Sequence, residues 1–149
     1  MDNRFESFVN GITVCYKYIQ KIKSIEMTEF GLKGTHVMCV FYLHRNPEGL
    51  TASQLSNLCE EDKAAISRTL SELEEKGYIR SVSGDSKKKY RSMITLSPKG
   101  EELAEKVEEL IEQWVNLGGD GLSESEREAF YYALGIISDN LRTKTKERI

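Results

Sequence analysis

Asp62-Lys-Ala-Ala-Ile-Ser-Arg-Thr-Leu-Ser-Glu-Leu-Glu-Glu-Lys-Gly-Tyr-Ile79 is the stretch on which the fold turns. Asp62 is a good N-cap, and Ala65, Ile66, Leu70 and Leu73 fall on one helical face. Gly77 supplies a left-handed stop, so a helix is expected over Lys63–Lys76. Its opposite face carries Lys63, Ala64, Ser67, Arg68 and Ser71. These residues are small or hydrogen-bonding, as a helix facing base edges requires, because bulk would block entry to the major groove. Upstream, Thr51 and Gln54 form a capping box that starts a shorter helix with Ala52, Leu55, Leu58 and Cys59 at helical spacing. Glu60-Glu61-Asp62 makes the turn between the two helices. Downstream, Tyr78–Ser83 alternates apolar and polar residues like a half-buried strand, and Ser92–Leu96 is its return partner. Leu50–Ser97 thus reads as a winged helix-turn-helix, a unit that places one helix in the major groove of DNA.

Between the strands lies Gly84-Asp85-Ser86-Lys87-Lys88-Lys89-Tyr90-Arg91. Gly84 and Asp85 suit a turn. Three lysines and an arginine on one hairpin repel one another unless an anion lies close. A lone basic run is ordinarily a solvated loop. Directly after a helix-turn-helix it is expected to be a wing that touches phosphates through Lys87, Lys88, Lys89 and Arg91. Thr51, at the start of the first helix, joins Lys63, Ala64, Ser67, Arg68 and Ser71 in the expected DNA-binding set.

The run from Asp62 to Ile79 resembles the recognition-helix signature of MarR-type transcriptional regulators. So does Lys89-Tyr90-Arg91-Ser92…Leu96-Ser97-Pro98-Lys99-Gly100. The order of elements is similar over nearly the whole chain. The resemblance implies a homodimer in which N- and C-terminal helices of two subunits interlock, a double-stranded DNA operator and a small-molecule, oxidant or metal effector. The chain departs from the pattern at the wing. Many family members carry an arginine at the tip that enters the minor groove, whereas here the tip holds lysines and Arg91 lies toward the return strand. The resemblance leaves open which basic side chain does the minor-groove work.

The chain has 149 residues, enough for one domain or two subdomains sharing a core. No apolar run approaches the ~20 residues needed to span a bilayer. The start Asp2-Asn3-Arg4-Phe5-Glu6 is unlike a secretory leader. Three widely spaced cysteines give no disulfide framework, which suits a reducing compartment, so a cytoplasmic location is expected. The formal charge of −3 conceals an asymmetry. Asp62–Arg91 holds eight basic and five acidic side chains, a net of +3, which leaves −6 for the rest. A locally positive surface on an acidic body binds phosphate while discouraging non-specific coating of nucleic acid.

Four flanking helices are expected. Arg4–Lys23 repeats Phe5, Phe8, Val9, Ile12, Cys15, Tyr16, Ile19 and Ile22 at helical spacing, with Gly11 inside it. Leu32–Asn46 turns Val37, Val40, Phe41 and Leu43 inward. Ser97-Pro98 opens a helix carrying Leu103, Val107, Leu110, Ile111, Trp114 and Val115. Leu117–Gly121 breaks it, and Ser123 with Glu126 caps a last helix bearing Phe130, Ala133, Leu134, Ile136, Ile137 and Leu141. So many large apolar residues on terminal helices exceed what a small winged unit can cover, which points to a homodimer. The expected fold is mainly α with a two- or three-stranded antiparallel wing. Residues 31–97 form the DNA-binding winged helix-turn-helix, and 1–30 with 98–149 form the dimerisation region.

The signals for an effector are sparser. Phe30–His36 brings two glycines, Lys33 and His36 to the start of the second helix, where an anionic ligand would find charge and hydrogen bonds. Tyr16 and Met38 would supply apolar walls. Cys15, beside Tyr16 and Tyr18, resembles the first-helix cysteine of some MarR-like peroxide sensors. As a free cysteine it is more simply a small apolar core residue. His36 and Cys39 share a helix face but His44 swings away, so no metal site is expected. No cofactor is expected either. A phosphate-cradling loop, a nucleophile elbow and a His-Glu-x-x-His motif are all missing from the sequence, which argues against an enzyme. The expected function is an effector-responsive repressor that binds a palindromic operator as a homodimer. Two rival readings are an oxidant sensor using Cys15 and a winged-helix protein-interaction module without DNA binding.

Overall fold

The computed structural model describes residues 3–82 and 92–148. The element order is α1 (Arg4–Thr28), α2 (His36–Arg45), α3 (Ala52–Cys59), α4 (Lys63–Glu75), β1 (Ile79–Val82), β2 (Met93–Leu96), α5 (Pro98–Gly118) and α6 (Glu124–Arg148). Strands β1 and β2 pair antiparallel with Ile79 opposite Leu96 and Val82 opposite Met93. Leu50 adds a single antiparallel bridge to Ile94, with Leu50 N–H donating to the Ile94 carbonyl at 3.0 Å and Ile94 N–H returning to Leu50 at 2.8 Å. The third strand of the wing is thus reduced to one bridge.

The chain forms two compact units, Met1–Leu110 and Ile111–Ile149. The first unit holds the core, where Met27, Val40, Leu43, Leu55, Leu73 and Val107 are among the most deeply buried side chains. Helix α2 is central and packs against α3, α4 and β2. Its C-terminal end is tied to α5 by His44 Nδ1, 2.8 Å from Glu101 Oε2, and by the Arg45 guanidinium, 2.8 Å from Glu108. In the second unit, Ser123 Oγ accepts the Glu126 N–H and the Glu126 carboxylate accepts the Ser123 N–H, which closes the capping box on α6. That backbone N–H, with the Ser123 hydroxyl, holds the Glu126 carboxyl below its ordinary value.

Several boundaries and faces differ from the sequence reading. Helix α1 runs on to Thr28, because Met27 continues its apolar face into the core; it stops where Gly31 takes φ +67°. Leu32 is buried but not helical: its N–H bonds back to the Met27 carbonyl at 3.1 Å, so α2 begins only at His36. The strand expected over Tyr78–Ser83 is Ile79–Val82 among the described residues. Leu58 was expected inward yet is 41% exposed, while Ala65 and Phe41 are only half-buried.

Candidate nucleic-acid interface

The helix-turn-helix is fixed by local bonds at each of its ends. The Thr51 hydroxyl accepts the Gln54 N–H at 3.1 Å, and Gln54 Oε1 accepts the Thr51 N–H at 2.8 Å. This cap occupies an acceptor lone pair of Thr51 and leaves its hydroxyl hydrogen available to donate. Helix α3 ends on Glu60 in the left-handed region at φ +54°, the only non-glycine residue with positive φ among those described. The Ser56 hydroxyl, donating to the Glu61 carbonyl at 2.5 Å, holds the turn. Helix α4 then starts with Asp62 Oδ1 accepting the Ala65 N–H at 2.7 Å. It stops at Gly77, φ +80°, where Tyr78 N–H bonds to the Leu73 carbonyl at 2.9 Å.

Between these ends the two faces of α4 are cleanly divided. Ile66, Thr69, Leu70 and Leu73 are buried, whereas Lys63, Ala64, Ser67, Arg68 and Ser71 are all exposed. The face expected to read DNA is therefore the one this unit leaves open. The wing is anchored to the same helix end. Ser97 Oγ donates to the Gly77 carbonyl at 2.5 Å, Ser97 N–H donates to the Tyr78 carbonyl at 2.9 Å, and Lys99 Nζ donates to the Lys76 carbonyl at 2.8 Å. The start of α5 thus sets the angle between α4 and the strands. Lys87, Lys88, Lys89 and Arg91 lie outside the described residues.

A cleft of about 330 Å³ opens between α1, the α1–α2 loop, α2 and α4. Tyr16, Lys33 and Met38 line it, together with Lys23, Cys39, Cys59 and Arg68. His36 is not on its wall but sits behind it, 1% exposed. Its Nδ1 lies 2.9 Å from the Lys33 N–H nitrogen and 3.1 Å from the Lys33 carbonyl oxygen. Nε2 lies 2.7 Å from Glu72 Oε2 without the alignment of a hydrogen bond. Lys33 Nζ is 3.4 Å from the other carboxylate oxygen. Burial pushes the Glu72 carboxyl up, but Lys33 and His36 outweigh it and hold the group below its ordinary value. Glu72 therefore ties α4 to the loop that borders the cleft. Gly34 belongs to this loop, and a Cβ there would meet Lys23 and Ser24 of α1 at 3.0–3.1 Å.

Three of the participants here, Lys23, Cys59 and Glu72, carry no mark in the sequence. Cys39 and Cys59 are 20 residues apart, yet their sulfurs lie 3.9 Å from each other. Cys15 is exposed on α1 and not a core residue of this chain. No group of three His, Cys, Asp or Glu side chains gathers as a metal site among the described residues. Nor is any described helix long and apolar enough to cross a membrane.

Residues 30–88 match the family model described as MarR family. Solved structures share the architecture over nearly the whole chain. A MarR protein from Peptoclostridium difficile superposes with TM-score 0.84 at 20% identity, covering 93% of this chain and 89% of that one. A MarR family transcriptional regulator from Listeria monocytogenes, solved in complex with a 26mer DNA, has TM-score 0.79 at 22% identity and covers 91% and 89%. MepR of S. aureus in a DNA-binding conformation has TM-score 0.79 at 19% identity and covers 90% and 98%.

Proposed function

Because residues 30–88 carry the MarR-family unit and the chain has the winged-helix fold of MarR-family transcriptional regulators, we propose that this protein is a sequence-specific DNA-binding regulator that acts as a homodimer on a palindromic operator. The observation that carries the proposal is the exposed face Lys63, Ala64, Ser67, Arg68 and Ser71 on a helix whose other side is locked into the core. Ser67 and Arg68 reach base edges or the adjacent phosphates; the Thr51 hydroxyl donates to a phosphate, and Lys63 with the basic run Lys87, Lys88, Lys89 and Arg91 neutralises phosphates. Homodimerisation is supported by apolar side chains that one chain leaves uncovered. Phe5, Phe8, Val9 and Ile12 are exposed on α1, and Phe130, Ile136, Ile137 and Leu141 on α6. A two-fold dimer places two recognition helices about one DNA turn, ~34 Å, apart.

The regulator is a repressor whose operator is released when a small anionic molecule enters the cleft lined by Tyr16, Lys33 and Met38. The reason is mechanical. Arg68 lines the same cleft and Glu72 bridges Lys33 to α4, so a ligand that engages Lys33 competes with the bond that ties the recognition helix to the α1–α2 loop. The test is selection of duplexes from a random library on the full-length protein. A palindromic consensus with half-sites one helical turn apart supports the reading. Recovery of no enriched sequence would favour the protein-interaction module instead.

A further inference from the structure

Cys39 sits on α2 and is 1% exposed; Cys59 is the last residue of α3 and is half-buried. Their sulfurs are 3.9 Å apart, and both side chains line the cleft beside Lys23 and Glu61. We propose that Cys39 and Cys59 are a peroxide-oxidisable thiol pair that closes into an intrachain disulfide between α2 and α3. A disulfide bond is about 2.05 Å long, so the sulfurs must approach by about 1.9 Å. Cys59 has the freedom to move, since it lies in the last turn of α3 against the left-handed Glu60 rather than in a helix interior.

The two thiols are electrostatically unequal, which assigns their roles. The hydrogen bond from Cys39 lowers the Cys59 thiol, and the Lys23 ammonium adds to this; burial and Glu61 oppose it, and the balance lies below the ordinary value. The same hydrogen bond and burial push the Cys39 thiol well up. Cys59 is therefore the nucleophile and Cys39 the resolving thiol. In the first step the Cys59 thiolate attacks one peroxide oxygen and the O–O bond breaks. The leaving hydroxide, or alkoxide from an organic peroxide, takes up a proton, and Cys59 becomes a sulfenic acid. In the second step the Cys39 sulfur attacks the Cys59 sulfur. The S–OH bond breaks, and the Cys39 proton leaves with the hydroxide as water. Two thiols lose two electrons and one peroxide gains them. Cys15, free and exposed on α1, is not part of this pair.

The consequence for DNA rests on the proposed function. Drawing in Cys59 pulls on the turn Glu60–Asp62, whose last residue caps α4, and so alters how the recognition helix is presented. The test uses full-length Cys15→Ser treated with a slight excess of hydrogen peroxide. Thiol titration in denaturant is expected to fall from two per chain to none. A tryptic digest is expected to contain residues 34–45 joined to 46–63, about 2 Da lighter than the two peptides together, and the chain should run as a monomer on denaturing, non-reducing electrophoresis. In Cys39→Ser, Cys59 should instead be trapped by dimedone as the sulfenic acid. Two thiols surviving in Cys15→Ser, or crosslinks only between chains, would overturn the proposal. If the disulfide forms but affinity for the selected duplex is unchanged, the coupling to α4 is overturned and the thiol pair stands. If the reduced protein binds no duplex, it is the regulator reading that fails.

Discussion

Gly100→Ala probes the joint that sets α4 against the strands of the wing. Gly100 lies in the first turn of α5, buried against Tyr78 just past the end of α4. An added Cβ would run into the Tyr78 carbonyl oxygen and would also come within 3.1 Å of Leu96 Cδ2. The first obstacle is backbone, so no rotamer change relieves it. Helix α5 must back away, at the expense of the Ser97 N–H bond to the Tyr78 carbonyl at 2.9 Å and the Ser97 Oγ bond to Gly77. Overpacking of this kind costs about 1–3 kcal/mol. A weakened hydrogen bond adds about 1 kcal/mol, and the better helix propensity of alanine returns about 1 kcal/mol. The net loss is about 1–3 kcal/mol, or roughly 2–12 °C in Tm for a chain of this size. Gly11→Ala is the control. It too lies within a helix, and within one chain an added Cβ meets nothing within 4 Å, so the fold of the chain itself should gain up to ~1 kcal/mol. Urea unfolding at fixed protein concentration measures both, because the stability of the proposed homodimer would depend on concentration. Gly100→Ala as stable as the parent would refute the close approach of α5 to Tyr78.

Other outcomes follow from the same structure. Replacing Leu134 or Ile137 by Glu should yield monomer or aggregate in sedimentation at micromolar concentration, since an unpaired charge in an apolar interface is costly; unchanged dimers in both variants would move the interface elsewhere. Lys88→Ala should weaken operator and random DNA alike and flatten the plot of log affinity against log salt by ~1 per half-site, or ~2 for a symmetric dimer; an unchanged slope for every wing lysine, singly and together, would leave the loop merely solvated. The Glu72 carboxyl lies below its ordinary value in the folded chain, so it contributes stability that is present above the unfolded pKa and lost as the pH falls through the folded one. Glu72→Gln should therefore show less acid destabilisation than the parent below about pH 4.5 in thermal melts; parallel curves would mean that the Lys33 and His36 contacts do not persist in solution.

The parts of this fold that sequence exposes are those decided within four residues. The caps at Thr51, Asp62 and Ser123, the stop at Gly77 and the division of α4 into two faces are all of this kind, and all appear in the structure. What a residue meets across the fold has no such local mark. Leu58 has the right period to be buried but lies where no other element covers it. Leu32 looks like the first apolar residue of a helix, yet it fills the core from a loop whose direction Gly31 sets. Spacing along α2 pairs His36 with Cys39. The true neighbours are Glu72 for His36 and Cys59 for Cys39, brought there by α4 and α3. Tyr16, Lys33 and Met38 do share one cleft, because α1, the following loop and α2 are adjacent in sequence as well as in space.

On the proposed function, the open face of α4 reads base sequence. Its most direct measurement is fluorescence anisotropy of Ser67→Ala and Arg68→Ala, at ~0.15 M salt, on the selected duplex and on random DNA. A contact from Arg68 to a base edge is worth about 1–3 kcal/mol, so Arg68→Ala should lose about 5- to 150-fold on the selected duplex for each half-site engaged. The loss on random DNA should be smaller, and Ser67→Ala should alter which substitutions in the duplex are tolerated. If both variants bind the selected duplex as tightly as the parent, with the same preference over random DNA, then α4 is not the reading helix.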